Sequence, residues 1–381
     1  MNAGPHIKPL RGKQDLQRFI DLPKRLHAGD PNWIAPLDME LRELLDKKQP
    51  YHAHAESAQW LATDDGRTVG RISAQIDHLH EQQHGERVGY FGLLEAEDRD
   101  DVFQALLDTA CAWLRERGCS SVRGPFDLSI NARCGLLVDG FDRPPYVMMG
   151  HAPPHYRTRI EACGFAGARD LLAYRLDVNR PTPAIARKLA RKYDSRIRLR
   201  HMGWTGRRRD LDAMRRIFND AWAGNWGFVP FTRAEFKKMG QELLLVANRR
   251  QAQIADWDGE PGAIMVTLPN LNEAARGLDG RLLPLGWLRL LWRLKVRGVS
   301  GIRVALLGVR RDLQGSPAAS ALAFLLLNRA WELAGADGHT EAELSWILED
   351  NHNIRDIIEH VGGVAYKRYR IYEKVLEPRR S

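Results

Sequence analysis

The sequence predicts an α/β protein made of two copies of one unit in tandem. Three observations carry this expectation. The chain has 381 residues, too many for one average domain. The order of elements in its first half returns in its second. The stretch Glu343 to Lys374 reads, in one run, as strand, polar corner, short helix, double glycine and strand.

The elements follow in order. A short strand spans Ile7 to Leu10, and a helical pattern runs from Gln14 to Leu26. DPNWIAPL (Asp30 to Leu37) is a Pro-bounded loop before a short helix, Met39 to Leu45. Ala58 to Ala62 and Arg71 to Ile76 alternate as strands about the turn Asp64 to Arg67, a hairpin signal. Val88 to Glu95 is a third strand. In the helix Asp100 to Arg117, Val102, Leu106, Ala110, Trp113 and Leu114 form one apolar stripe, and Gly118 stops it. Ser121 to Phe126 is a strand. Gly124 to Met149 is rich in Gly, Pro and Asp and too long for a plain connection, which marks it as functional. A helix, Pro153 to Cys163, and a strand, Ala168 to Leu176, close the first half.

Pro181, Pro183 and a run of arginines then mark a boundary. The expected domains are 1–180 and 181–381. The order restarts with a strand, Ile197 to His201, and a helix, Leu211 to Trp222. After the loop NWGFVPFT (Asn225 to Thr232) comes a helix from Glu235, then paired strands Gln253 to Trp257 and Ala263 to Leu268. Ile302 to Val309 is a strand, and Pro317 to Gly335 a long apolar helix. Ala110 to Trp113 and Asn328 to Trp331 hold like places in the two long helices, as expected of repeated units.

The closing stretch is the most informative. Leu344, Trp346 and Leu348 alternate with Ser345, Ile347 and Glu349, a strand pattern. Asn351 or Asn353 caps a helix whose face is Ile354, Ile357, Ile358 and Val361. Gly362-Gly363 ends it. In the strand Val364 to Tyr372, Tyr366, Arg368, Arg370 and Tyr372 are expected on one face.

With an Asn where strand turns to helix, this stretch resembles the C-terminal half of a GNAT-superfamily acyltransferase. The strings SWILEDN, Gly-Gly and YKRYRIYEK, with DLSIN and GLLVDGFDRPP earlier, resemble one bacterial branch of tandem GNAT-like proteins that includes bacterial ceramide synthases. The resemblance implies two GNAT-like domains, each a mixed, mainly antiparallel sheet flanked by helices. It also implies an acyl-CoA-dependent N-acyltransferase with a small-molecule or lipid amine acceptor, such as a sphingoid base. His52, His54, His78, His80 and His84 come with no HExxH motif or cysteine partner, so no metal is expected.

Site expectations follow from the resemblance. Val309, Gln314, Gly315, Ser316, Ala318 and Ala319 lie where the family holds the coenzyme A pyrophosphate, at a helix start suited to phosphate. Pro317 replaces the family's middle glycine and removes one donor. The matching turn of the first half, AEDRDD, is acidic, so coenzyme A is expected on the second half and acceptor contacts on the first. Amine acylation needs a base, an oxyanion donor and an acid for the thiolate. The family's acid is a tyrosine near Ile358, which cannot serve. The candidates are Glu343, Glu349 and His360 as base, Asn351 as an orienting group, and Tyr366, Tyr369 and Tyr372 as acid. Ser129, Asn131, Asp142 and Tyr156 of the long loop region, with Asn225 and Trp226, are the expected acceptor contacts.

Composition bounds the rest. Apolar content is 44% and charged content 28%, that of a globular protein with a sizeable core. With no signal-like N-terminus and no CxxC pair among four cysteines, the sequence reads as cytoplasmic, with reduced thiols. Two fused copies are compatible with a monomer. Net charge is +9, which favours polyanions. The run 281–297, RLLPLGWLRLLWRLKVR, places Arg289, Arg293 and Arg297 on one side of a helix. Trp287, Leu290, Leu291 and Leu294 occupy its other faces, a pattern suited to peripheral contact with an anionic membrane surface. The rival readings are a non-catalytic GNAT-like binding module and a nucleic-acid-binding protein. The second lacks any RRM, zinc or helix-turn-helix signature.

Overall fold

A computed structural model describes residues 4–180, 184–193, 195–203, 206–246 and 248–377. Pro181 and Pro183 lie outside them. The first half runs β1 (His6–Pro9), α1 (Gly12–Leu26), α2 (Asp38–Leu44), β2 (Ala55–Asp64), β3 (Arg67–Asp77), α3 (His78–His84), β4 (Val88–Ala96), α4 (Asp100–Glu116), β5 (Ser121–Gly124), β6 (Leu136–Asp139), α5 (His155–Ala162) and β7 (Ala166–Asp177). The second runs α6 (Ala184–Tyr193), β8 (Ile197–His201), α7 (Arg207–Trp222), α8 (Arg233–Val246), β9 (Ala252–Trp257), β10 (Glu260–Pro269), α9 (Leu271–Ala275), α10 (Gly286–Trp292), β11 (Gly301–Val309), α11 (Pro317–Ala336), β12 (Glu341–Leu348), α12 (His352–His360) and β13 (Val364–Val375).

The strands form one sheet in the order β1-β2-β3-β4-β5-β13-β7-β12-β11-β10-β9-β8, with β6 beside β13. The two halves exchange their last strands: β13 pairs with β5, and β7 pairs with β12. Each half contains one parallel pair, β4 with β5 and β11 with β12; the remaining pairs are antiparallel. Both parallel pairs are short. Their registers cover 88–90 against 121–123 and 301–304 against 341–344, after which the strands part.

Each half buries a long helix on its sheet. Val102, Phe103, Leu106 and Leu114 of α4 pack on β2 to β4. The helix comes so close to Gly70 that a Cβ there would lie 2.7 Å from Leu106 Cδ1. Leu322, Leu326 and Leu327 of α11 fill the matching place against β9 to β12. A further cluster, with Tyr90, Phe126, Tyr146, Met149, Leu171 and Tyr369, lies where the Gly124–His155 loop covers the middle of the sheet.

Two face assignments from alternation do not survive. The register of β12 shifts between Leu344 and Ile347, so these two share the α11 side while Trp346 and Leu348 join the central cluster. The register of β13 shifts twice, around Tyr366 and before Tyr372. Tyr366 thus lies with Tyr369 and Ile371 in the central cluster, and Tyr372 turns to the α4 core. A bulge adds one residue on one strand and reverses the facing of everything beyond it.

Candidate active site

Glu343 sits on the last paired turn of β12 before the strand leaves β11, opposite Arg303 in register. Both side chains are almost wholly buried. Arg303 Nε lies 3.7 Å from Glu343 Oε1. Ser345 Oγ donates to Glu343 Oε1 at 2.7 Å and accepts from Arg303 Nε at 2.9 Å. Arg303 also donates to the Ser345 carbonyl at 3.0 Å and, from Nη1, to the Val147 carbonyl at 2.9 Å. The Tyr366 hydroxyl donates to Glu343 Oε2. Burial pushes the Glu343 carboxyl above its usual range, against the pull of Arg303 and the bonds from Ser345 and Tyr366. Burial also holds the Tyr366 phenol far above its usual range, helped by the neighbouring carboxylate.

The surroundings are short of hydrogen-bond partners. Tyr369 Oη and Trp346 Nε1 are buried and unpartnered. Orphaned donors beside a buried carboxylate fit a place that a polar ligand or water fills. Lys367, on the same strand as both tyrosines, donates to the carbonyls of Gly140 and Arg143, at 2.5 and 2.7 Å. Burial lowers its pKa to about 8, against Glu343 and Asp142. It ties the first-half loop down over the site.

The two strand forks differ. In the first half the fork is filled by its own chain: Phe126 N donates to the Phe91 carbonyl at 2.8 Å, and an added Cβ at Gly92 would overlap the Phe126 carbonyl. Residues 91–94 are buried. In the second half β11 beyond Val304 pairs only with β10, and Ala305 to Leu307 are half-exposed. From Arg303 to Val309 the open edge runs about 20 Å at ~3.3 Å per residue. At its far end, Gly315 has a φ of 75° and Ser316 Oγ caps α11 by accepting from Ala319 N at 3.3 Å. Among the described residues the Gly315 and Ala318 N–H groups have no protein partner. Gln314 Nε2 donates to the Val309 carbonyl at 2.9 Å and holds the turn closed. Arg310 is paired with Asp312 at 2.6 Å. The acids of the first-half turn are matched in the same way, with Arg25, Arg67, Arg99 and Arg159 on Glu97, Asp98, Asp100 and Asp101.

Of the expected catalytic residues, the structure brings Glu343, Tyr366 and Tyr369 together. Glu349 Oε1 accepts from Asp170 N at 3.1 Å, and Asn351 Oδ1 caps α12 through Ile354 N at 3.3 Å. Tyr372 donates to Glu161 at 3.2 Å in the first-half core. His360 bonds the Asp356 carbonyl on an exposed turn, and Ile358 is core. Of the expected acceptor contacts, Asp142 acts on Lys367, and Trp226 packs on the central cluster with Arg123 over its ring. Ser129 accepts from Asn131 N, Asn131 Nδ2 donates to the Val229 carbonyl, and Asn225 N closes a turn on the Trp222 carbonyl. Tyr156 is buried in the first-half core and donates to Glu95 at 2.9 Å. Sequence reasoning missed Arg303, Ser345 and Lys367. A signal for two of them was there: an arginine within a strand of apolar residues, and a lysine between two tyrosines.

No protein-family model matches the chain. It is 45% identical to "Bacterial ceramide synthase" of Caulobacter vibrioides over 378 residues, 98% of each chain. It is 42% identical to protein YghO of Escherichia coli over 370 residues, 97% of this chain and 95% of that one. Among solved structures, a tandem GNAT protein from the clavulanic acid biosynthesis pathway superposes with a TM-score of 0.59 at 13% identity, covering 98% of this chain and 99% of that one.

Proposed function

Because the chain belongs to the family of the bacterial ceramide synthase and protein YghO, on a tandem GNAT fold, we propose that it is an acyltransferase that moves an acyl group from a coenzyme A thioester to an amine. The observation that carries the reading is the open fork of β11 and β12 with Glu343 at its apex, set against the plugged fork of the first half. The thioester arm lies along the open edge, and Gly315 and Ala318 offer backbone N–H groups to its phosphates. The relative's name supports a long-chain amine of the sphingoid type as acceptor. The units are 1–180, whose loop covers the site, and 181–381, which receives the acyl-CoA.

Glu343 takes the proton. It is wholly buried, so the half-buried Tyr366 hydroxyl that it holds serves as the link to an incoming ammonium. A carboxylate with a raised pKa is the stronger base for this task. Attack by the free amine forms the C–N bond. The tetrahedral oxyanion needs a donor, and the Tyr369 hydroxyl and Trp346 indole, buried without a hydrogen-bond partner among the described residues, are the candidates for that part. Collapse breaks the C–S bond, and the second amine proton leaves with the thiolate. Glu349, Asn351 and Tyr372 act by holding backbone and core.

Purified protein incubated with octanoyl- or palmitoyl-CoA and a sphingoid base should release free thiol and form an amide, both dependent on the amine. Neither thiol release nor amide, or no binding of acyl-CoA in calorimetry, favours the binding-module reading that Pro317 and Ile358 motivate; thiol release without amide marks a thioester hydrolase and overturns the amine acceptor.

A further inference from the structure

In the segment Leu282 to Arg297 the apolar side chains face outward, and one arginine leaves the expected line. Of α10 only Leu290 is buried, and with the half-buried Leu294 it packs on Leu37, Ala275 and Leu278. Arg293, expected on the outer charged face, turns inward and donates to the carbonyls of Ala274 and Arg276, at 2.8 and 2.6 Å. What faces water is apolar: Leu283 is 79% exposed and Trp292 52%, with Leu285, Trp287, Leu288 and Val296 beside them. The inward leucines and Arg293 hold this surface in place, so its exposure is not that of a loose loop. A contiguous patch of this kind on a soluble protein marks an interaction surface.

The charge along the patch segment has one sign. Exposed Arg289, Lys295 and Arg297 make no ion pair with the described residues, and no acidic residue occurs from Gly280 to Arg311. Tryptophans and leucines beside unpaired cations match the interfacial layer of an anionic bilayer. The patch also borders the site. Asn270 Oδ1 accepts from Val147 N at 3.1 Å, and Asn272 Nδ2 donates to the Pro145 and Tyr146 carbonyls at 3.0 Å. The strap 145–149 is the one whose Val147 carbonyl holds Arg303 and whose Met149 Sδ lies 3.3 Å from Ser345 Oγ.

We propose that Leu283 to Arg297 seats on an anionic lipid bilayer and sets the strap 145–149, and with it the Glu343 end of the fork, at the membrane surface. The docking stands on the patch alone; that an amine with a hydrocarbon tail passes from the bilayer to Glu343 rests on the acyltransferase reading. Docking is tested with the full chain and substrate-free vesicles in flotation. Vesicles with 30% phosphatidylglycerol should carry the protein up, and pure phosphatidylcholine should not. The triple variant Trp287→Ser, Leu288→Ser, Trp292→Ser should lose at least tenfold in partition. Arg289→Gln, Lys295→Gln and Arg297→Gln should each lose about fivefold, less at high salt. Partition of the triple variant equal to that of the wild type overturns the proposal. So does a salt-insensitive dimer in sedimentation that the triple variant abolishes, since a second copy then covers the patch. Thiol release with a short, water-soluble amine is measured in parallel. It should be unchanged in the triple variant, and its absence in wild type counts against the acyltransferase reading and not against docking.

Discussion

Replacing Glu343 by Gln tests catalysis and stability in one variant. At 3.7 Å and an effective dielectric of ~20, the attraction between Arg303 and Glu343 is about 4.5 kcal/mol. Yet burial holds the carboxyl above its usual pKa, so ionising it costs more than that attraction and its two hydrogen bonds return. Glutamine keeps the shape and removes the desolvation cost of the charge, but it offers an acceptor oxygen to one of Ser345 and Tyr366 and an NH2 donor to the other. The change also leaves Arg303 buried without its counter-charge, held by the Val147 and Ser345 carbonyls, so Glu343→Gln should destabilise by about 3–5 kcal/mol in urea unfolding, read separately from kcat. The same change removes the base and should lower kcat by about 10²- to 10⁴-fold. The converse variant, Arg303→Met, strands the carboxylate and forfeits three further bonds, so a loss of about 3–5 kcal/mol is expected. The assay is thiol release from octanoyl-CoA across pH, beside urea unfolding of each variant. In wild type, activity should fall as pH drops through a value above the ordinary glutamate range, because the protonated form cannot accept. A Glu343→Gln enzyme within threefold of wild type, with the same acid limb, would refute the reasoning.

Further outcomes follow from the same geometry. Tyr366→Phe should keep the fold and cost about 10- to 100-fold in kcat, read in the same assay, since it cuts the link from Glu343 to the acceptor. His54 bonds Asp77 at 3.0 Å and its Nε2 lies 3.2 Å from a Glu235 carboxylate oxygen of α8; burial alone would lower its pKa, but the two carboxylates outweigh burial and raise it to about 10. Its contribution, on the order of 3–5 kcal/mol, is fully present below pH ~6.5 and lost as pH rises through about 10. Urea midpoints of wild type should fall over that window, and His54→Asn should flatten the fall. Gly92→Ala drives a methyl into the Phe126 carbonyl and should destabilise by about 3 kcal/mol or more in thermal unfolding. Opening the first fork in this way should create no second acyl-CoA site in calorimetry.

Much of the fold was legible because it is local. The stripe of α4, the hairpin of β2 and β3, and the caps of α11 and α12 each lie within a few residues, where periodicity and capping rules act. The exchange of β7 and β13 was not, because it pairs strands about 200 residues apart and leaves no trace in either one. Bulges defeated alternation at Trp346 and Tyr366, since one added residue inverts all later facing. After α10, Arg293 leaves the line expected with Arg289 and Arg297, because two carbonyls bind it. A helical wheel ranks faces by charge, while here a hydrogen-bonding arginine faces in and tryptophans face out. The site was half legible: Glu343 opened the stretch 343–374 and was a candidate base, but Arg303 and Lys367 act through pairings that only the assembled sheet creates.

In the proposed reaction the fork of β11 and β12, and not its plugged twin, receives the acyl thioester. Amide hydrogen exchange with and without octanoyl-CoA tests this most directly. The account predicts new protection at Ala305 to Val309 and at Gly315 to Ala319, with Phe91 to Glu95 unchanged. Protection at Phe91 to Glu95, or none at Ala305 to Val309 under saturating ligand, would contradict it.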